Sequence, residues 1–413
     1  MLSLLRVPSY RRLFGAQTVS MLGDRIAPIA MAFAILDLTG SAKDLGVVLA
    51  AQTIPLAVML LPAGVVADRL ARRPLMLASD VVRFGAQGAT AGLLIAGSSS
   101  LWLIALLQAV YGTAEAFFLP AFTGLLAQVT PEGERQQANA LLSLGRNITT
   151  IAGPVAAAAL IALTSPGSAL AFDAATFLIS ASFLRGIKVE SPRAGSRREI
   201  LSAVRTGFVT DLVEGARAVI SRSWVRTMIL AFTAYHVAIF PAVYVLGPLL
   251  ARTEYDGAPS FAAWVSGFGV GALVGGAAAL RFRPAHPMRW VGGGLAVAGT
   301  QPLILSAGLP TVAMVACFSV VGASVSFLFT IWDAELQGRI PADLLARVSS
   351  FDFFGSVVMI PVGYALAGPL STWIGLHQAL VAVGCLGVTA GLATLASADV
   401  RDLAKEPTVP PIR

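Results

Sequence analysis

The chain has 413 residues, of which 56% are hydrophobic and only 12% charged, and its mean hydropathy is +0.78. Soluble domains carry about 25% charged residues, so composition excludes a string of soluble domains, a disordered chain and a disulfide-rich secreted scaffold. The formal net charge of +7 would suit a polyanion, but the basic residues gather in loops on one side of long apolar runs, which excludes a nucleic-acid binder.

A bilayer crossing needs about 20 apolar residues. Dividing the uncharged runs at their Gly and Pro breakers predicts about twelve helices and an all-α integral membrane fold. The expected spans are 12–37, 45–67, 75–97, 101–127, 138–163 and 169–187, then 226–250, 259–281, 289–307, 311–334, 349–369 and 374–397. The uncharged runs 290–332 and 353–398 would each be roughly 65 Å long as one helix, so each must fold back as a hairpin. The expected breakers are Ser306–Pro310 in the first and Pro369 with Gly375 in the second.

In span 1, Asp24 lies roughly 18 Å deep and shares a face with Gln17 and Ser20. After span 2 the chain reads Gly64-Val-Val-Ala-Asp68-Arg69-Leu-Ala-Arg72-Arg73. Gly64 would let span 2 approach a neighbour closely, Asp68 suits a helix N-terminus, and the arginines suit carboxylates and lipid phosphates. Asp80 and Arg83 follow toward the same end of span 3 and are expected to support that loop. Span 4 carries Gln108 and Glu115, and span 5 carries Arg146 beside Asn147. Consecutive helices are usually neighbours, so a Glu115–Arg146 pair is geometrically possible. Asp173 is expected near the outer start of span 6 in a structural role. His236 lies mid-span 7 beside Tyr235, and either titrates or makes a helix contact. Tyr244, Trp264, Phe327 and Trp332 could face a substrate or simply pack. Asp333 and Glu335 are expected at an inner gate, with Asp352 at the start of span 11 linked to the loop after span 2.

Residues 188–225 form the longest polar segment, with Leu201, Val204, Phe208, Leu212, Ala216 and Val219 on one helical stripe. That reads as an amphipathic helix on a membrane surface. Three regions follow: residues 1–190 as a six-helix bundle, 191–224 as a cytoplasmic linker, and 225–413 as a second six-helix bundle with a short tail. Pro131 and Pro154 in the first half recur as Pro341 and Pro361 in the second, about half a chain later, as two pseudo-symmetric bundles would give. Apart from Lys43 and Arg252 in outer loops, and Arg25, Arg83 and Arg146 inside spans, every basic residue falls on the side of the N-terminus. The positive-inside rule puts both termini in the cytoplasm. Arg6, Arg11 and Arg12 precede a stretch far longer than a signal-peptide core, so no cleavable leader is expected.

The loop after span 2 resembles the G-x-x-x-D-R-x-x-R-R signature of the major facilitator superfamily. Together with Gly23-Asp24, Leu119-Pro120-Ala121, Gln136-Gln137-Ala138-Asn139-Ala140 and Gly153-Pro154, the chain looks similar to twelve-span drug:proton antiporters, nearest the macrolide-efflux and enterobactin-exporter branch. Gly145, Gly153 and Pro154 resemble the antiporter motif of span 5, although Ala157 and Ala158 replace its trailing glycines. Gln108 stands where many proton-coupled relatives have an arginine. The resemblance implies a major facilitator fold, a cytoplasmic latch of Gly64, Asp68, Arg69, Arg72 and Arg73, and export.

Ionisable residues at membrane depth are functional by default. Asp24, Glu115, Arg146, Gln17, Gln108, Asn147 and His236 are the expected proton and substrate residues, and the alternative is that the charges only neutralise one another. No catalytic or metal-ligating constellation is evident: the three histidines are widely spaced, and Cys317 and Cys385 read as small core residues. The expected function is a secondary transporter that exports an amphiphilic small molecule against protons. It would be a monomer in a bacterial plasma membrane, driven by the proton gradient with no cofactor and no nucleic-acid partner. The alternatives are an importer or symporter of a small solute and, from another class, an integral membrane enzyme.

Overall fold

The computed structural model describes residues 2–97, 100–131, 133–188, 213–282 and 284–403. Among these the chain is all helical. Twelve rods follow in order: α1 (Pro8–Thr39), α2 (Ala42–Arg69), α3 (Arg72–Ile95), α4 (Leu101–Val129), α5 (Arg135–Leu163), α6 (Pro166–Arg185), α7 (Ser223–Glu254), α8 (Ala258–Arg281), α9 (Pro287–Gly299, resuming as Gln301–Ser306), α10 (Thr311–Arg339), α11 (Ala342–Val357, resuming as Ile360–Ile374) and α12 (Leu376–Thr394). Nine helices among the described residues are long and apolar enough to cross a membrane on their own. The other three rods have physical reasons to fall short. A polar stripe dilutes α3, α9 is interrupted at Thr300 just before Pro302, and α11 is interrupted at 358–359 just before Pro361.

Local chemistry sets the helix ends. The Ser41 hydroxyl accepts from the Asp44 amide at 3.2 Å and the Ser165 hydroxyl from the Ser168 amide at 3.1 Å, which caps the starts of α2 and α6. Gly40 ends α1 in the left-handed region at φ 66°, where a side chain would be strained. The expected hairpin breakers need one correction. Pro369 lies inside α11, and the turn falls at Gly375, φ 92°. Equivalent prolines also differ in effect: α5 runs unbroken through Pro154, whereas α11 breaks ahead of Pro361. Beyond Pro241, α7 relaxes into a π-turn over Ala242–Leu246, a usual response to a lost backbone donor.

The rods pack as two copies of one pattern. In the first six, α1 packs on α5 and α6, α3 on α4 and α6, and α2 on α4; in the last six, α7 packs on α11 and α12, α9 on α10 and α12, and α8 on α10. Between the halves the main contacts are α2 with α11 and α5 with α8, which are again equivalent pairs. These contacts run from mid-depth to one end of the molecule, here the closed end. There Arg252 Nε meets Asp37 Oδ1 at 3.1 Å, Phe33 meets Phe261 edge-on, and Gly46 lies against the Tyr364 carbonyl. Toward the opposite end the first segment of α11 packs on α7 and α10 of its own half, and a gap opens between the bundles.

The predicted linker lies largely outside the described residues, along with Leu201, Val204, Phe208 and Leu212. Its end is a helix over 213–220, held to α11 by Glu214 Oε2 and Arg347 Nη1 at 2.6 Å. Cys317 is partly buried, but Cys385 is exposed on α12 and is no core residue.

Candidate functional site: a buried acid cluster beside an aromatic wall

Inside the first half, four carboxylates converge from four helices around one buried guanidinium. On α3, Ser79, Asp80, Arg83, Gln87 and Thr90 recur every three or four residues, so they share one face and all are buried. Arg83 pairs with Asp80, with side-chain exposures of only 2% and 0%. The Ser180 hydroxyl on α6 donates to the other Asp80 oxygen at 2.7 Å. The Arg83 guanidinium is sandwiched between two rings, 4.1 Å from the Phe118 centroid and 4.3 Å from that of Phe177. Such stacking suits a planar, weakly hydrated cation.

One relay of hydrogen bonds runs across the cluster. Gln108 Nε2 donates to Gln87 Oε1 at 3.1 Å and to the Thr90 hydroxyl at 3.3 Å, and Gln87 Nε2 donates to Asp173 Oδ2 at 2.7 Å. Tyr111 donates its hydroxyl to Asp24 Oδ1 at 3.5 Å. Gln52 of α2 lies beside Glu115. Glu115 Oε2 and Asp173 Oδ1 have no protein partner among the described residues. Glu115, Asp24, Gln52, Gln87, Gln108 and Tyr111 line a cavity of about 170 Å³.

Two glycines make this convergence possible. A Cβ at Gly23 would strike the Asp173 carboxylate and the Thr176 hydroxyl, and a Cβ at Gly112 would strike the Gln52 carbonyl. The missing side chains therefore let α6 bring Asp173 against α1, and let α2 bring Gln52 beside Glu115.

Several expected placements change. Asp80 and Arg83 belong to this central cluster and not to the loop after span 2, because eight and eleven residues of helix separate them from Arg72. Asp173 is not a terminal residue at the outer face: α6 starts at Pro166, so Asp173 is inside the helix, fully buried beside Gln87. The Glu115–Arg146 pair does not form. Helix α4 packs on α2 and α3, α5 packs on α1 and α8, and Glu115 shares its charge environment with Asp24 and Arg83. Arg146 and Asn147 are exposed on α5. Gln17 and Ser20 each keep a buried polar atom without a partner among the described residues.

The loop after α2 is tied down by its arginines. Arg72 Nη1 donates to the Gly124 carbonyl at 2.9 Å, and Arg73 donates to the carbonyls of Leu184 at 2.9 Å and Arg185 at 2.5 Å. These carbonyls lie toward the ends of α4 and α6, where the helix dipole favours a cation. The Asp68 side chain lies outside the described ones. Gly64 makes no close approach here, for a Cβ would meet nothing within 4 Å among the described residues. Its end of α2 borders the gap between the halves. Gly145 and Gly153 face α1, at Thr18 and Arg25, and Pro154 is buried in the same helix.

The second half presents rings where the first presents acids. Tyr235, His236, Phe240, Tyr244, Phe329 and Tyr364 form a chain of ring contacts with centroids 4.5–6.5 Å apart, and Phe232 continues it to Trp332 and Trp224. His236 Nδ1 is bonded to the Phe232 carbonyl at 2.8 Å. Of the aromatics singled out in the sequence, Tyr244 joins this wall and Trp332 stands at its buried end. Trp264 is packed among Tyr255, Phe261 and Phe318; Phe327 packs with Phe282 and Trp290; Trp332 is buried and donates its indole N–H to Asp352 at 2.9 Å. Glu335 pairs with Arg339 one helical turn on, at 2.6 Å. Asp352 is thus held within its own half, away from the loop after α2.

Two six-helix bundles of matching topology, a central gap and buried acids define a membrane transporter. The family model of the Major Facilitator Superfamily matches residues 13–363, and the chain belongs to that superfamily. Macrolide efflux protein A of Streptococcus pyogenes is 23% identical over 381 residues, covering 91% of this chain and 92% of that protein. The multidrug efflux pump Tap of Mycolicibacterium fortuitum is 26% identical over 416 residues, covering 97% and 99%. Among solved structures, a bacterial homologue of the human lysosomal transporter Spinster, in an inward-facing and unoccupied conformation, superposes with a TM-score of 0.73 at 16% identity, covering 97% of this chain and 98% of that one. The resemblance drawn from the loop motif therefore holds, for the fold and for relatives that include efflux pumps.

Proposed function

We propose that the protein is a proton-coupled exporter of an amphiphilic small molecule, working as a monomer by alternating access, with both termini in the cytoplasm of a bacterium. In that orientation the gap between the bundles opens to the cytoplasm, and the Asp37–Arg252 end closes the outside. The observation that carries the reading is the cluster of Asp24, Asp80, Glu115 and Asp173 around Arg83 at mid-depth, with a cavity at its rim. Carboxylates buried against a cavity can exchange protons when the cavity wets or dries, and so bias one state over the other. Asp24, at the cavity, with the long Tyr111 bond as its side-chain hydrogen bond among the described residues, is the proton site of choice; Glu115, with its free oxygen, is the second. No cofactor is needed, since the gradient supplies the drive.

The loop arginines take the role of a latch. Pseudo-symmetry supports where it closes. At the closed end α2 already touches α11, so closing the other end would bring the Gly64 end of α2 against the first segment of α11. Gly64 then offers a seat that is empty in the present state.

Inside-out membrane vesicles with an imposed acid interior test this directly, using anionic and cationic fluorescent amphiphiles as probes. Accumulation that requires the gradient, and its loss in Asp24→Asn with the protein still folded, is expected. Accumulation indifferent to the gradient, or unchanged in Asp24→Asn, contradicts the proton role; uptake in the opposite sense points to an importer.

A further inference from the structure

Two further arginines lie at membrane depth: Arg25 follows Asp24 at the edge of the acid cluster, and Arg146 is on α5. Arg25 and Arg146 are both exposed, and neither is held in an ion pair among the described residues. Neither faces lipid. On α5, Leu144, Ile148 and Val155 are 53–57% exposed and mark the outer face. Arg146 is two residues from both Leu144 and Ile148, about 200° around the helix, so it points inward. It lies one turn below Thr150, whose backbone backs onto Gly269 of α8 where the halves still touch. Arg146 therefore stands where that shared face opens into the gap. Arg25 rests its Cβ on Gly153 of α5 and lies near Tyr244 of α7, where α1 meets the Ala242–Leu246 turn. Helices α1 and α5 run parallel, since Thr18 faces Gly145 and Arg25 faces Gly153. Their backbone positions are thus about 10 Å apart along the helix axes.

The acids are poorly placed to hold a bulky cation. Asp80 is spent on Arg83, Asp173 accepts from Gln87, and Asp24 accepts from Tyr111. The free oxygens of Glu115 and Asp173 are both buried, and Glu115 lines a cavity of about 170 Å³, smaller than the roughly 300–1,000 Å³ of drug-sized sites. It suits protons and water. In the second half, Asp352 accepts from the Trp332 indole through Oδ2 and keeps Oδ1 buried without a partner among the described residues, and Asp333 lies near the open end of α10. A charged side chain left unpaired at this depth is costly unless a partner or water meets it.

We infer that the transported amphiphile carries a carboxylate or comparable anionic group, which Arg25 and Arg146 bind in the gap while its apolar rings lie against Phe240, Tyr244 and Tyr364. This rests on the transport reading and adds the substrate class to it. Arginine forks suit such a group, and Arg25 sets it beside the acid cluster that carries the protons.

The test measures binding, not transport. Protein in nanodiscs at neutral pH is titrated with pyrenebutyrate and with pyrenebutylammonium, against empty nanodiscs, by fluorescence anisotropy. The carboxylate is expected to bind about tenfold or more tightly than the ammonium. Arg25→Gln and Arg146→Gln should each weaken the carboxylate about tenfold, Arg25→Lys and Arg146→Lys should retain most of it, and Arg289→Gln at the surface should change nothing. Equal or tighter binding of the ammonium overturns the inference, as do folded Gln variants with unaltered affinity. The charge preference of the unaltered protein decides the matter even where a variant fails to fold. Vesicles that move no probe under a gradient would overturn the transport reading while leaving a carboxylate preference standing.

Discussion

The two bundles share one packing pattern and almost none of its chemistry. Where α2 meets α4 in the first half, Gly112 admits the Gln52 backbone and the contact opens into a polar cavity. Where α8 meets α10 in the second, Gly267, Gly271 and Gly275 lie against the carbonyls of Val315, Ser319 and Ala323, and Gly322 lies against that of Phe268. The second contact is backbone on backbone and has no room for a side chain. The first half also buries four carboxylates and a guanidinium, and the second faces the gap with rings. A duplicated fold can thus hold one bundle as a rigid apolar surface while the other accommodates charge.

Removing the cation of the first half should have the largest effect on stability. Arg83→Gln leaves Asp80 buried without its partner and empties the space between Phe118 and Phe177; breaking a buried pair costs about 3–5 kcal/mol. A strongly lowered melting temperature in detergent is expected, partly recovered in the Asp80→Asn/Arg83→Gln double variant. No recovery would mean that the ring sandwich, and not the pair, matters most. Next comes the glycine seam of the second half. Gly271→Val would drive a side chain into the Ser319 carbonyl, and overpacking of this kind costs about 1–3 kcal/mol. Gly64→Val, in open space, should leave the melting temperature unchanged yet slow transport, because its cost arises only when the gap closes. If both valines destabilise equally, the contrast between welded and mobile contacts fails. The smallest effect is expected for Asp37→Asn. Its pair with Arg252 is largely exposed, and such pairs contribute about 0–1 kcal/mol. Melting should barely move, while cysteine-reagent access at the closed end rises.

Much of this was legible in the sequence. Span number and the half-chain repeat followed from hydropathy and spacing, because lipid forces backbone bonds into helices, and the loop motif was legible as a family resemblance. The stripe Asp80, Arg83, Gln87, Thr90 was also readable as one buried polar face of α3, yet its position suggested the loop. What failed was adjacency. Glu115 and Arg146 lie on consecutive helices, but in this fold α4 and α5 do not share a principal contact. Asp173 was misplaced because only the structure shows that Gly23 lets α6 press it against α1. Pro154 and Pro361 occupy matching places but act differently, so a proline alone does not fix a break.

The central claim is that buried acids of the first half decide which end of the gap is open. Spin labels at Gln136 and Gln337, both exposed and on opposite halves at the open end, give the most direct reading when placed in a Cys317→Ser/Cys385→Ser background. Their distance distribution, measured by pulsed electron resonance across pH, should shift between a long and a short population in the unaltered protein. In Asp24→Asn/Glu115→Gln it should stay in one population at every pH. A distribution indifferent to pH in the unaltered protein, or one that still responds in the double variant, would contradict the account.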